Sequence, residues 1–323
     1  MATARKKRLS GDEVLFYWSL SSSSTFGNAY LIENSSGTRV LIDCGVPLRR
    51  LEDSLLALGV SPASLSAVFI THDHADHVRA LTLKKPFAAR HGIPVYATRD
   101  FWDAWRFDWR ETLGNLAEVA EPWRPITVTG SGNSGSGNSR SSANGSDTAR
   151  KHPGGMRVIA VEKPHDAPGP VGYIIEGTKE KLAVFTDLGH VPESVLRAAH
   201  AVDHLVIESN HDREMELLSD RHWYLKQRVL GPRGHLSNDQ AADALQAIVT
   251  PATKTVLLAH LSLECNLPDL AALTAQRALA RAGFGGELFV APADSPLTCS
   301  LPGESKNPRP KLRDEGLTPA VSP

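Results

Sequence analysis

The densest run of titratable side chains is His72-Asp73-His74-Ala75-Asp76-His77, three imidazoles and two carboxylates within six positions. Imidazole nitrogens and carboxylate oxygens suit zinc, iron or manganese, and crowding them is costly unless a cation offsets it. A solvated polar turn is the alternative. The run directly follows the apolar strand pattern Ala-Val-Phe-Ile-Thr (67–71), which would place ligands at the end of a rigid element where strand gives way to helix, and this favours metal. Three more candidates stand at or just after β-rich runs: His165 in EKPHDAPGPVGY, Asp187 in AVFTDLGH and His260 in VLLAHLS. Singly, each reads equally well as a hydrogen-bonded residue at a strand end. Together with the first cluster they describe ligands gathered at one sheet edge.

The elements that must position them show in the hydrophobic patterning. Strands are expected at 14–20, 29–33, 39–43 and 67–71, and again at 156–162, 171–176, 181–187, 204–209, 255–260 and 287–291. Apolar residues at helical spacing run through PLRRLEDSLLALGV to Gly59, and further helices are expected near 192–200, 238–249 and 268–282. Two strand-rich halves with interspersed helices predict an α/β (α+β) domain, two sheets packed face to face with helices outside. The segment TRDFWDAWRFDWR (98–110) holds three of the six Trp and reads as one helix packing an aromatic face on the core, with a base-stacking surface as the other reading.

At 323 residues with 41% hydrophobic and 22% charged side chains, the chain has the composition of an ordinary globular protein. Residues 1–11 form a basic N-terminal tail and 12–302 the domain; a flexible Gly/Ser/Asn-rich insertion at 130–155 interrupts it, and a Pro-containing tail at 303–323 is expected to be disordered. No apolar run approaches the roughly 20 residues of a membrane helix. The basic N-terminus leads into no apolar signal segment, so a cytoplasmic protein with no membrane partner is expected. Three scattered cysteines exclude a disulfide framework or a Cys-based zinc site. A net charge of −1 means that an anionic partner would be held by local basic patches such as Lys84-Lys85 or Lys226-Gln227-Arg228, although such runs are more often solvated faces.

THDHADH matches the H-x-H-x-D-H pattern of the metallo-β-lactamase superfamily, with the later His, Asp and His in that family's order. The resemblance implies a four-layer αββα sandwich with its site at the shared edge of two sheets. It implies one metal on His72, His74 and His165, a second on Asp76, His77 and His260, Asp187 bridging both, and Asp43 of LIDCG orienting ligands. LVIESNHD (205–212), GPRGHLSNDQAA (231–242) and PVGYIIE (170–176) resemble RNase Z type phosphodiesterases. More closely, SSSSTFGNAYLIE, TDLGH, ESNHD, GHLSN and AHLSLECN are similar to the YycJ (WalJ) family of metal-dependent exonucleases acting on DNA. No segment is long enough for the β-CASP domain of RNase J type nucleases, and no flexible exosite arm of the RNase Z kind is evident.

The resemblance therefore implies a DNA exonuclease with two divalent cations per chain, zinc or manganese, with iron also compatible. A water shared by two cations becomes far more acidic, its pKa falling from 15.7 toward about 7, and could attack phosphorus as hydroxide. His235 is the candidate proton donor to the leaving oxygen and Glu208 the group holding its ring; a structural or phosphate-binding His235 is the alternative. Asn210 and His211 are candidate substrate contacts, with loop capping as plausible a role for His211. Ser237 and Asn238 open an amphipathic helix, where an N-cap outranks a phosphate site. A small-molecule hydrolase, a thioesterase or lactonase on the same site, is the alternative activity, and a non-catalytic scaffold a third reading. Oligomeric state is open at this level.

Overall fold

The computed structural model describes residues 14–130 and 154–299. The expected tails at 1–11 and 303–323, and nearly all of the insertion at 130–155, lie outside them. Fourteen described strands form two seven-stranded sheets: β1 Leu15–Ser23, β2 Gly27–Asn34, β3 Arg39–Ile42, β4 Ala67–Phe69, β5 Val95–Ala97, β6 Ala117–Val119, β7 Ile126–Thr129, β8 Gly155–Glu162, β9 Val171–Glu176, β10 Lys181–Phe185, β11 His204–Glu208, β12 Thr255–Ala259, β13 Glu287–Val290 and β14 Leu297–Thr298. One sheet has the order β14-β1-β2-β3-β4-β5-β6 and the other β13-β12-β11-β10-β9-β8-β7.

Alternation along the strands builds the layers, because successive side chains point to opposite faces. Tyr17, Tyr30, Ile32, Ile42 and Phe69 of the first sheet meet Val158, Tyr173, Val184, Val206 and Leu257 of the second in one inter-sheet core. The intervening Trp18, Leu31, Leu41 and Val68 face outward onto Leu51 and Leu55 of the helix Leu48–Ala57. On the other side Phe185, Leu205, Ile207 and Leu258 pack under the helices Glu193–Ala199, Asn238–Ile248 and Pro268–Arg281. The result is the αββα order that the patterning and the resemblance predict.

Four strands in each sheet run parallel, β3 to β6 and β10 to β13, so their C-terminal ends point the same way. Crevices outside such ends are where open α/β sheets expose loop side chains. β8 delivers Glu162 toward the His165 loop and starts at Gly155, paired with Thr129 of β7. The segment between those two residues thus joins the sheet at the end of β8 away from His165.

Four short strands, β5, β6, β7 and β14, escape the patterning because two to four residues are too few to show a period. The aromatic segment is two helices instead of one, Arg99–Ala104 capped by Thr98 and Trp109–Thr112 capped by Asp108, since a second N-cap breaks the run. Phe101 and Trp102 are buried on the outer core, and Trp105 and Trp109 pack half-buried against it. Core packing thus accounts for most of this aromatic face.

Gly45 fixes how closely the chain after β3 approaches the His-Asp turn. A Cβ there would lie 1.6 Å from the carbonyl oxygen of Asp76, and a Cβ on Gly27 would lie 2.2 Å from that of Gly45. Gly45→Ala should destabilise the protein by about 1–3 kcal/mol or more, the cost of overpacking. A thermal melt checks it; an unchanged melting temperature would mean that the Asp76 backbone yields freely.

Candidate metal centre

Sharp turns at strand ends aim the site. Asp43 after β3, Asp187 after β10 and His260 after β12 have φ of 60°, 55° and 56°. Left-handed backbone is unfavourable for such residues and persists only where surrounding contacts enforce it. At His260 they are visible: its N–H donates to Ser22 Oγ (2.8 Å), and its carbonyl accepts from Asn210 Nδ2 (2.8 Å).

Two adjoining groups could each hold a metal ion. In the first, His72 Nε2 lies 3.0 Å and His165 Nε2 3.2 Å from His74 Nδ1. In the second, Asp76, His77, Asp187 and His260 converge, with Asp76 Oδ2 3.4 Å from both His77 Nε2 and His260 Nε2. Asp187 joins the two: Oδ2 is 3.2 Å from His77 Nε2, and Oδ1 faces His260 Nδ1 at 3.5 Å and His165 Nε2 at 3.9 Å. Asp187 Oδ2 is buried without a hydrogen-bond partner, which is costly in the protein alone and fits a carboxylate oxygen aimed at a cation. The seven residues expected as ligands are thus one constellation, and their nitrogen and oxygen donors suit a divalent transition metal.

Around them sit the groups that hold the rings. His77 Nδ1 is 2.7 Å from Asp43 Oδ2, and Asp43 also accepts from the N–H (2.8 Å) and hydroxyl of Thr71. Thr71 Oγ1 lies 2.9 Å from His72 Nδ1, so one threonine ties two rings to one carboxylate. His165 Nδ1 donates to the Gly234 carbonyl at 3.1 Å. Glu208 Oε1 accepts from His235 Nδ1 (2.7 Å) and His260 Nδ1 (3.0 Å), while Oε2 accepts the N–H groups of Leu188 and Leu236. A third possible metal group, Asp187, Glu208, His235 and His260, overlaps this arrangement. Saturation of both Glu208 oxygens by donors makes it a buttress in the present arrangement.

Sequence reasoning missed several participants. Asn28 Nδ2, near the start of β2, reaches Asp76 Oδ2 at 3.2 Å and His77 Nε2 at 3.1 Å. Buried Lys163 donates to the Thr186 carbonyl, one residue before Asp187. Asp166, adjacent to His165, stands 3.8 Å from His74 Nε2 and is clasped by Arg228. Only Asp166 and Lys163 carried a signal, their closeness to His165 in sequence.

The weaker substrate candidates are engaged inside the protein. Asn210 holds the His260 carbonyl, and Asn238 joins Ser209 and Asn266. Ser237 caps the helix Asn238–Ile248 in a reciprocal capping box with Gln240. His211 is buried, with neither ring nitrogen hydrogen-bonded. Of the basic runs, Lys84 and Lys85 are exposed, whereas Lys226 is buried with its ammonium on the Leu217 and Ser219 carbonyls, so it is not a free backbone contact.

The histidines divide electrostatically. Burial holds His72 and His74 below their ordinary value and pushes His165 down to about 3. Burial also opposes charge on His77 and His260, but the surrounding carboxylates outweigh it, raising His77 and lifting His260 to about 10. Despite burial, the neighbouring histidines keep Asp76 and Asp187 low and bring Glu208 to about 2.

A model of the beta-lactamase superfamily domain matches residues 38–261, the span holding every ligand above. The chain belongs to the beta-lactamase superfamily. As a hydrolase of that superfamily it is similar to exodeoxyribonuclease WalJ of Streptococcus pneumoniae, 29% identical over 84% of this chain and 91% of that protein. It is also similar to exodeoxyribonuclease YycJ of Bacillus anthracis, 28% identical over 84% of this chain and 93% of that protein. The metallo-beta-lactamase fold protein YhfI of Bacillus subtilis superposes with a TM-score of 0.57 at 17% identity, covering 89% of this chain and all of that one. This likeness shows a shared metallo-β-lactamase fold. No helix among the described residues is long and apolar enough to cross a membrane.

Two measurements test the centre. Asp43→Asn puts an amide where His77 Nδ1–H and the Thr71 donors need acceptors, so metal affinity should fall about 10–100-fold in a chelator competition; unchanged affinity would show that Asp43 orients nothing. For metal-free protein, His260 with its raised value contributes stability fully present below its ordinary 6.5 and lost as pH rises toward about 10. His165, depressed to about 3, and the depressed carboxylates contribute stability that is lost as pH falls. Melting temperature of the stripped protein should therefore peak near neutral pH and decline on both sides. A monotonic profile from acid to pH 10 would contradict this charge assignment.

Proposed function

We propose that the protein is a metal-dependent phosphodiesterase that shortens DNA from an end, working with two divalent cations, zinc or manganese. The observation that carries this reading is the pair Glu208–His235 set against the ligand groups, in a chain most of whose length is similar to two exodeoxyribonucleases. His235 is partly exposed, and its ring centroid lies 5.3 Å from that of His165 and 5.2 Å from that of His260. A donor there is suited to a leaving group that needs a proton. A sugar alkoxide needs one, whereas a thiolate, with a thiol pKa near 8.5, departs without help.

His72, His74 and His165 would hold one cation and Asp76, His77 and His260 the other, with Asp187 between them. Bound there, such ions supply an acidified water and withdraw charge from the phosphoryl oxygen. The remaining steps belong to the chain. Glu208 Oε1 fixes His235 with Nδ1 as donor, so Nε2 is the nitrogen that can present a proton to the leaving oxygen. Because Glu208 Oε1 also holds His260 Nδ1, acid and ligand are aligned by one carboxylate. Asp43 and Thr71 keep His72 and His77 from turning.

The test uses metal-stripped protein reloaded with Mn²⁺ or Zn²⁺ and offered duplex and single-stranded DNA and RNA labelled at either end. Metal-dependent shortening of DNA from one end is expected, abolished in Asp187→Ala and slowed about 10²–10⁴-fold in His235→Ala, the usual share of acid–base catalysis. Metal-loaded protein that cleaves no polynucleotide would sink the proposal and return the site to thioesters and lactones.

A further inference from the structure

Between β11 and the His235 loop, the helix Trp223–Val229 presents aromatic side chains to solvent, with Tyr224 72% and Trp223 59% exposed. Aromatic rings of this size are ordinarily covered, and neither contributes to the hydrophobic cores. The same helix leads into the metal centre. Arg228 clasps Asp166 through Nε (2.5 Å) and Nη2 (3.2 Å), and Asp166 Oδ1 stands 3.4 Å from His165 Nε2. The chain then turns through exposed Arg233 to Gly234, whose carbonyl holds His165, and on to His235.

We propose that Tyr224 and Trp223 form a stacking platform for the unpaired bases of a nucleic-acid strand whose backbone passes Arg228 and Arg233 into the metal centre. This rests on the nuclease reading above. Tyr224 and Arg228 are four residues apart and share a face of the helix, separated by about 6 Å of rise. Consecutive nucleotides advance about 3.4 Å along a stacked strand, so a base on Tyr224 lies about two nucleotides from a phosphate at Arg228. Trp223, about 100° further round the helix, offers a second exposed ring. Every base has a π-face, so such a platform grips a strand without reading its sequence, as an enzyme that moves along DNA requires. A second copy of the chain suits the face less well, since a two-fold interface would set Arg228 and Arg233 against the same cations.

The experiment measures anisotropy of a short, labelled, single-stranded DNA with phosphorothioate linkages that resist hydrolysis, bound to the full-length metal-loaded protein. Tyr224→Ala and Trp223→Ala should each weaken binding about 5–100-fold without changing the dependence on salt, because stacking releases no counterions. Tyr224→Phe, which keeps the ring, should bind as wild type does. Arg228→Gln should instead lower the salt slope by about one. Wild-type affinity in the Trp223→Ala/Tyr224→Ala double variant overturns the platform while leaving the nuclease reading intact. So does a wild-type dimer that this double variant splits into monomers, which would give the face to a second copy. A wild-type protein that neither binds nor shortens any polynucleotide overturns both.

Discussion

Asp43 at the end of a strand of one sheet, and Asp187 and Glu208 at strand ends of the other, are buried, and the rest of the site follows from what makes that tolerable. An isolated buried carboxylate is so unfavourable that it would bind a proton instead. Here Asp43 and Glu208 accept from backbone donors as well as histidine rings, Asp187 is surrounded by histidine rings, and Asp187 and Glu208 stay charged. The negative charge in turn holds His77 and His260 protonated, leaving His72, His74 and His165 neutral. A cation entering the first group meets neutral imidazoles, while one entering the second must displace protons.

Glu208 shows how few atoms do this. One of its oxygens is saturated by two peptide N–H groups and the other by two imidazoles, one a candidate ligand and one the candidate proton donor. A carboxylate so anchored resists rotation, and its rigidity passes to both rings. Asp43, anchored by Thr71, does the same for His77. Such supporting bonds set ring orientation and basicity as much as the ligand atoms do. Bonds of this kind also hold the left-handed turns at Asp43 and His260, which would be costly in a loop free to relax.

The site's surroundings divide into fixed and open parts. In the sequence Asn210 reads as a substrate candidate, and Ser237 and Asn238 read first as a helix cap; the side chains of all three knit the His235 and His260 loops together. The helix Trp223–Val229 is the reverse case: its basic run suggested a backbone contact at Lys226, which folds inward, while the adjacent aromatic residues face outward. A charge pattern read along a chain does not say which side of a seven-residue helix meets solvent.

Much was legible in the sequence because β1 to β4 and β8 to β12 lie in strongly apolar, β-branched or aromatic runs, and because the candidate metal ligands fall at or near the ends of such runs. Residue type alone marks His72, His74, Asp76 and His77, since no polar turn would crowd such groups without a purpose. Type and spacing also suggested Asp43, Glu208 and His235, through resemblance. The short strands β5, β6, β7 and β14 were not legible, nor was Asn28, whose role comes from a distant segment. Asn28 and His77 are 49 residues apart in sequence, and only the pairing of β2 with β3 and of β3 with β4 in one sheet brings them together. The sequence by itself determined the layers, which follow from local period, and with the family resemblance it marked the candidate donor set by chemical type. Only the tertiary structure decided which oxygen faces which ring, and which aromatic rings stay in water, because these depend on where separate chain segments meet.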